Sequence, residues 1–154
     1  MEVLKDNFEE VLPIFTAAVE NADFIAIDTE LTGLNRPTES QDFTDDTQTR
    51  YSKLRISASE FLVIQFGVCT FTWSDTQGVF VAKPFNFYVF PSGEPRMAGD
   101  RCFTCNSSSM KFLSGCNFDF NKLIRGGIPY MTHTEEEKYH ELRELRTGKV
   151  IGTL

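Results

Sequence analysis

No stretch of the 154 residues approaches the roughly 20 consecutive apolar residues that cross a bilayer, which excludes a helical span within this sequence. The opening MEVLKDNFEE also lacks the basic region and apolar run of a secretory signal, so a soluble intracellular protein is expected, with no membrane contact from this segment. Positive charge is in deficit. Fifteen Lys and Arg against 22 Asp and Glu leave a formal charge of −7, which excludes a global cationic field for gripping a nucleic-acid backbone. Any contact with RNA has to be local or carried by divalent metal. Cysteine is too scarce for a disulfide-stapled fold: there are four, and Cys102-Phe103-Thr104-Cys105 has no second CxxC pair to complete a zinc site. No function is assigned to that pair.

What the chain does have is enough apolar and aromatic residue for one hydrophobic core, provided its elements close on one another. Asn7 followed by Glu10 offers a reciprocal capping box, and Phe8, Val11, Leu12, Phe15 and Val19 recur at helical spacing. Pro13 weakens this helix less near its start than it would deeper in. Asn21-Ala22-Asp23 ends it, and Phe24-Ile25-Ala26-Ile27 reads as a short buried strand.

Asp28-Thr29-Glu30 comes directly off that strand. In extended chain, residues two apart point the same way, so Asp28 and Glu30 present their carboxylates to one side. Paired carboxylates repel unless protons or cations intervene, and hard divalent ions suit such oxygen donors. Two readings stand on the residues alone. Acids at strand ends are commonly just solvated; yet this pair sits between four apolar residues and the turn Leu31-Thr32-Gly33-Leu34, outside any charge run, as a metal site would.

Residues 35 to 49 are polar and turn-prone, with Asp42, Asp45 and Asp46 read as solvated loop acids. A helix is expected over Thr47 to Phe61, turning Tyr51, Leu54, Ala58 and Phe61 inward and Arg50, Lys53 and Arg55 outward. Leu62 to Trp73 is the strongest strand, Ser74 to Gly78 a turn, and Val79 to Phe90 a second strand that Pro84 either interrupts or places at an edge. The result is an antiparallel hairpin beside the strand that delivers Asp28, in a mixed α/β sheet with helices. Beyond a loop over Ser92 to Cys105, short helices are expected near Ser107–Leu113 and Phe118–Arg125, and a charged one from Glu135 to Arg146.

Several ordered segments together resemble the poly(A)-specific ribonuclease family, a branch of the CAF1-like DEDD 3′–5′ exoribonucleases. They are FIAIDTELTGL (Phe24–Leu34), EFLVIQFGVCTF (Glu60–Phe71), PFNFYVFP (Pro84–Pro91), SSSMKFLSGCNFDFNKLIRGGIPY (Ser107–Tyr130) and TEEEK (Thr134–Lys138). The resemblance covers nearly the whole chain. It implies a ribonuclease H-like mixed sheet flanked by helices, incomplete here, with residues 1–130 as the N-terminal portion of the nuclease domain and 131–154 as a charged helical or linker segment.

The resemblance also implies roles. Asp28 and Glu30 become the first two catalytic acids, holding Mg2+ or Mn2+, and Leu31 and Leu34 line the path of the terminal nucleotides, with core packing as their other reading. The substrate would be single-stranded RNA with a free 3′ end, a poly(A) tail or a small noncoding RNA, cut to nucleoside 5′-monophosphates. Homodimers and a nuclear or cytoplasmic location are expected of relatives. The family needs two further aspartates and a histidine from a later region. His133, His140 and Asp119 do not match them and receive no role, so a truncated, inactive RNA-binding or assembly fragment is the alternative.

Overall fold

A computed structural model describes residues 1–36, 42–91 and 102–150. In chain order its elements are β1 (Glu2–Val3), α1 (Phe8–Glu20), β2 (Phe24–Leu31), α2 (Thr47–Ala58), β3 (Val63–Ser74), β4 (Val79–Phe90), α3 (Ser107–Gly115), α4 (Phe120–Gly126), β5 (Ile128–Pro129) and α5 (His133–Val150). The two 12-residue strands β3 and β4 form the expected hairpin, and the ladder runs unbroken through Pro84, opposite Cys69. Gly78 closes the turn at φ 66, a left-handed conformation that favours glycine, with its N–H donating to the Ser74 carbonyl at 2.7 Å.

β2 runs antiparallel along β3, while β1 and β5 pair in parallel with β4, giving a mixed sheet in the order β1-β4-β3-β2. Alternation along the strands sends side chains into two cores. On one face α1 contributes Val11 and Ala18, which pack with Val3, Val68, Phe85 and Phe87, and the Phe15 ring meets Phe85 and Phe87 edge-on at 5.2 and 5.0 Å. On the other, Leu113 of α3 and Leu123 of α4 close over Leu62, Ile64 and Tyr88. The fold class expected from the sequence, a mixed sheet flanked by helices, is the one observed.

Local departures have local causes. Asn7 caps α1 in position only; its Oδ1 accepts from Leu4 N–H at 2.8 Å and its Nδ2 donates to the Glu2 carbonyl at 3.1 Å, tying the helix to β1 in place of a capping box. The strand expected to be buried, β2, pairs only with β3 among the described residues, and its open edge leaves Phe24, Ile25 and Ile27 exposed. Helix α2 does not turn its expected stripe inward: Ser57 and, beyond the helix, Phe61 are buried, whereas Tyr51 and Leu54 are exposed. Of the loop expected over Ser92 to Cys105, positions 92–101 lie outside the described residues; Thr104 forms a bridge with Phe61. At the start of α5 the Glu135 carboxylate accepts from the Thr132 N–H and hydroxyl, and Thr132 Oγ1 accepts from the Glu135 N–H.

Candidate functional site

β2 carries Asp28 and Glu30 on the sheet face that α3 and α4 partly cover. Asp28 sits opposite Gly67 of β3, which sits opposite Asn86 of β4; Glu30 sits opposite Gln65, which sits opposite Tyr88. Gly67 supplies no side chain to its row, and a cavity of about 320 Å3 opens there, lined by Asp28, Glu30, Gln65, Gly67 and Asn86 among others. The register of β2 on β3 shifts between Glu30 and Leu31, the kind of irregularity that bends a strand and redirects the residues after it.

Past that bend lies a second cleft of about 480 Å3, in which Asp28, Thr29, Glu30, Leu31 and Leu34 face Ser108, Ser109, Phe112 and Leu113 of α3. The carboxylate pair is thus the wall shared by both cavities. Leu31 is half-buried, but Leu34 is 62% exposed and Phe112 67% exposed, so these two are not core residues. Large apolar side chains held at the surface beside carboxylates suit a ligand that is flat and apolar on its faces and charged at one end.

Partial burial raises the pKa of Glu30 above its ordinary value, and the neighbouring charge of Asp28 raises it further. An Asp28 carboxylate oxygen accepts from the Thr29 N–H at 2.9 Å, which leaves most of its acceptor capacity open. Two oxygen-donor groups of like charge on one face fit a hard divalent cation, which would remove the repulsion that Glu30 registers. Asp28 and Glu30 would hold such an ion. Among the described residues no group of three or more His, Cys, Asp or Glu is placed to hold one, so the pair supplies only part of a coordination shell.

The other acidic and basic candidates have local duties. Asp46 caps α2 by accepting from the Thr49 N–H at 2.7 Å, Asp45 pairs with Lys53 at 2.8 Å, and Asp42 accepts from the Thr44 N–H at 2.9 Å. These contacts hold all three carboxyls below their ordinary pKa. Asp119 caps α4 through the Lys122 N–H at 2.9 Å. His133 and His140 lie on exposed α5, each within 4 Å of Glu136. Cys102 and Cys105 are free, exposed thiols.

Phe112, Ser108, Ser109, Gln65 and Asn86 line the site without standing out in the sequence as site residues. By composition Phe112 groups with Met110 and Leu113 as apolar packing. Met110 and Leu113 are three apart and share a helical face, whereas Phe112 lies off it, a signal that spacing alone does carry.

The family model for the CAF1 family ribonucleases matches residues 3–150. The poly(A)-specific ribonuclease PARN of Danio rerio is 45% identical over 99% of this chain and 24% of its own length. The human protein of that name is 41% identical over 96% of the chain and 24% of its length. The chain therefore spans about a quarter of these relatives. Among solved structures, S. pombe Pop2p in a Mg2+- and Mn2+-bound form superposes with a TM-score of 0.60 at 22% identity, over 82% of this chain and 47% of that one, a likeness of fold. With a family match across almost its whole length, this chain belongs to the CAF1 family of ribonucleases.

Proposed function

We propose that the whole protein is a metal-dependent 3′–5′ exoribonuclease acting on poly(A) tails or the 3′ ends of small noncoding RNAs, and that this chain supplies its first metal-binding strand and one wall of its RNA cleft. The observation that carries this is the placement of Asp28 and Glu30 on one face of β2, between an open sheet groove and a cleft lined by Leu34 and Phe112. Family membership and the metals in the Pop2p structure support the same reading.

Asp28 and Glu30 hold Mg2+, or Mn2+ in its place. Divalent ions bound there supply the chemistry of activating water and stabilising the departing 3′ oxygen. The protein's own part is placement. The carboxylates stand on a strand fixed by the β3 ladder, so a divalent ion would meet ligand oxygens that need little rearrangement. Leu31 and Leu34 pack against the terminal base from the β2 side, and Phe112 offers its ring from α3. Residues 1–130 form this portion of the nuclease domain, and 131–154 lead out of it. Pairing of two copies in the whole protein is part of the proposal.

Asp28→Asn and Glu30→Gln each test the metal role in the whole protein, with release of adenosine 5′-monophosphate from oligoadenylate as the assay. Each is expected to lower turnover by about a thousandfold, several kcal/mol of lost transition-state stabilisation, with an unchanged circular dichroism spectrum. Near-normal turnover in folded variants would refute the assignment. A second reading applies to the chain standing alone. Two acids without a third ligand among the described residues favour an RNA-binding or assembly fragment, and the alternative is tested by RNA binding without cleavage.

A further inference from the structure

Thr32 is 1% exposed and lies two residues beyond Glu30, yet it belongs to neither core cluster. Its polar groups account for its burial. The Thr32 N–H donates to the Leu62 carbonyl at 2.9 Å, and the Leu62 N–H returns a bond to Thr32 Oγ1 at 3.0 Å. The same hydroxyl donates to the Thr104 carbonyl at 2.7 Å, and the Thr32 carbonyl accepts from the Asn106 N–H at 2.8 Å. N–H, carbonyl and both roles of the hydroxyl are therefore engaged, joining pieces of chain that are far apart in sequence.

Those pieces are the two walls of the cleft and the strand entry between them. Upstream of Thr32 run Asp28 to Leu31, one wall. Leu62 is the entry to β3, on which β2 is registered. Asn106 is the N-cap of α3, whose Ser108, Ser109 and Phe112 make the facing wall. The Asn106 side chain adds a tie from Nδ2 to the Asn35 carbonyl at 2.9 Å, beside Leu34. Thr32 is β-branched, so its χ1 is restricted, and a hydroxyl bonded on both sides cannot turn without breaking a buried bond. Thr32 thus ties the end of the carboxylate strand to the start of the α3 wall, beside the Asn106–Asn35 tie and the packing of Leu113.

We infer that Thr32 is a positioning residue that helps fix the width of the slot taking the terminal nucleotide, its hydroxyl holding Thr104 and its carbonyl holding Asn106 at the start of the helix that carries Phe112. The inference rests on the ribonuclease reading of the cleft. It assigns Thr32 no contact with metal or substrate: loosening it shifts the α3 wall while leaving the β2–β3 ladder that carries Asp28 and Glu30 registered from Phe24 onward.

The test compares Thr32→Val, which keeps the shape and removes the hydroxyl, with Thr32→Ser, which keeps the hydroxyl. In the whole protein, Thr32→Val raises KM for oligoadenylate about tenfold while kcat stays within about threefold, and Thr32→Ser stays near wild type on both. Mn2+ affinity is unchanged in either. In amide hydrogen exchange, Thr32→Val speeds exchange at Asn106 and Met110 relative to Leu123, whose N–H bonds Asp119 in α4. A KM within about twofold of wild type in folded Thr32→Val, or a Thr32→Ser variant as impaired as the valine one, overturns the inference. A joint loss of kcat and Mn2+ affinity at unchanged KM also overturns it, since that would place the effect on the acids.

Thr32→Ala provides the second variant should Thr32→Val not fold. It removes the hydroxyl that engages the Leu62 N–H and the Thr104 carbonyl and is expected to raise KM in the same direction; a wild-type KM there counts against the proposal. Failure of the ribonuclease reading itself looks different. Asp28→Asn would then cleave as wild type, and the hydrogen-exchange comparison would still decide whether Thr32 holds α3.

Discussion

Glu30 binds its proton more tightly than an ordinary glutamate, because it is partly buried and because Asp28 places a second negative charge beside it on the same face of β2. Asp28→Asn removes the smaller of these causes. The Glu30 pKa is then expected to fall toward its ordinary value without reaching it, as carboxyl-carbon NMR titration will show; no change would mean that the two groups are not coupled.

The same shift sets the sign of a pH dependence. A glutamate whose pKa is raised in the folded state contributes stability that is fully present below its unfolded pKa and lost as pH rises through the folded one. Metal-free protein should therefore lose this contribution as pH rises through the Glu30 titration, and Glu30→Gln should flatten that part of the profile in urea unfolding. Mn2+ should act in the opposite sense, binding better as Glu30 deprotonates and stabilising the fold by mass action. A profile for Glu30→Gln identical to wild type would contradict the assignment.

Leu34 and Phe112 are exposed apolar side chains on facing walls of one cleft, so truncating them leaves the cores intact. Leu34→Ala and Phe112→Ala should each raise KM for oligoadenylate by about 5-fold to 150-fold, the worth of about 1–3 kcal/mol of base contact, at nearly unchanged thermal midpoint. A lowered midpoint with unchanged KM would make them structural residues after all.

Gly33 is buried directly beneath the Phe61 ring, which a Cβ at this position would overlap. Gly33→Ala should cost about 1–3 kcal/mol in denaturant unfolding, the usual range for overpacking. Phe61→Leu in the same chain should restore part of the loss, and additive losses would show that the ring is not the obstacle.

The acid pair and the central hairpin were legible because their signals are local. Four apolar residues ahead of Asp28, the long run from Leu62 and the turn ending at Gly78 each announce an element within a few neighbours. Burial of β2 was not legible, since it depends on what lies across its second edge, and Ile25 and Ile27 look the same in sequence whether covered or open. Two-residue strands such as β1 and β5 have no period to detect, and the use of Asn7 to tie α1 to Glu2 depends on β1 being there. Thr32 escapes notice in the sequence for a related reason: its partners, Leu62, Thr104 and Asn106, are assembled only by the fold.

The open edge of β2 carries its own consequence. Among the described residues that edge is unpaired, and with exposed Phe24, Ile25 and Ile27 it is a template for association when this chain is expressed alone. Residues 1–154 should sediment as concentration-dependent aggregates, and Ile25→Lys with Ile27→Lys should shift them toward monomer. Unchanged association in that double variant would place the contact elsewhere.

Whether Asp28 and Glu30 hold a divalent ion can be seen by anomalous diffraction from crystals of the whole protein soaked in Mn2+. A metal peak is expected about 2.1 Å from a carboxylate oxygen of Asp28 or Glu30, the distance for a small octahedral divalent ion, with both side chains turned toward it. A fully loaded crystal whose metal lies elsewhere, with the two carboxylates pointing into solvent, would contradict the metal role on which the proposed function stands.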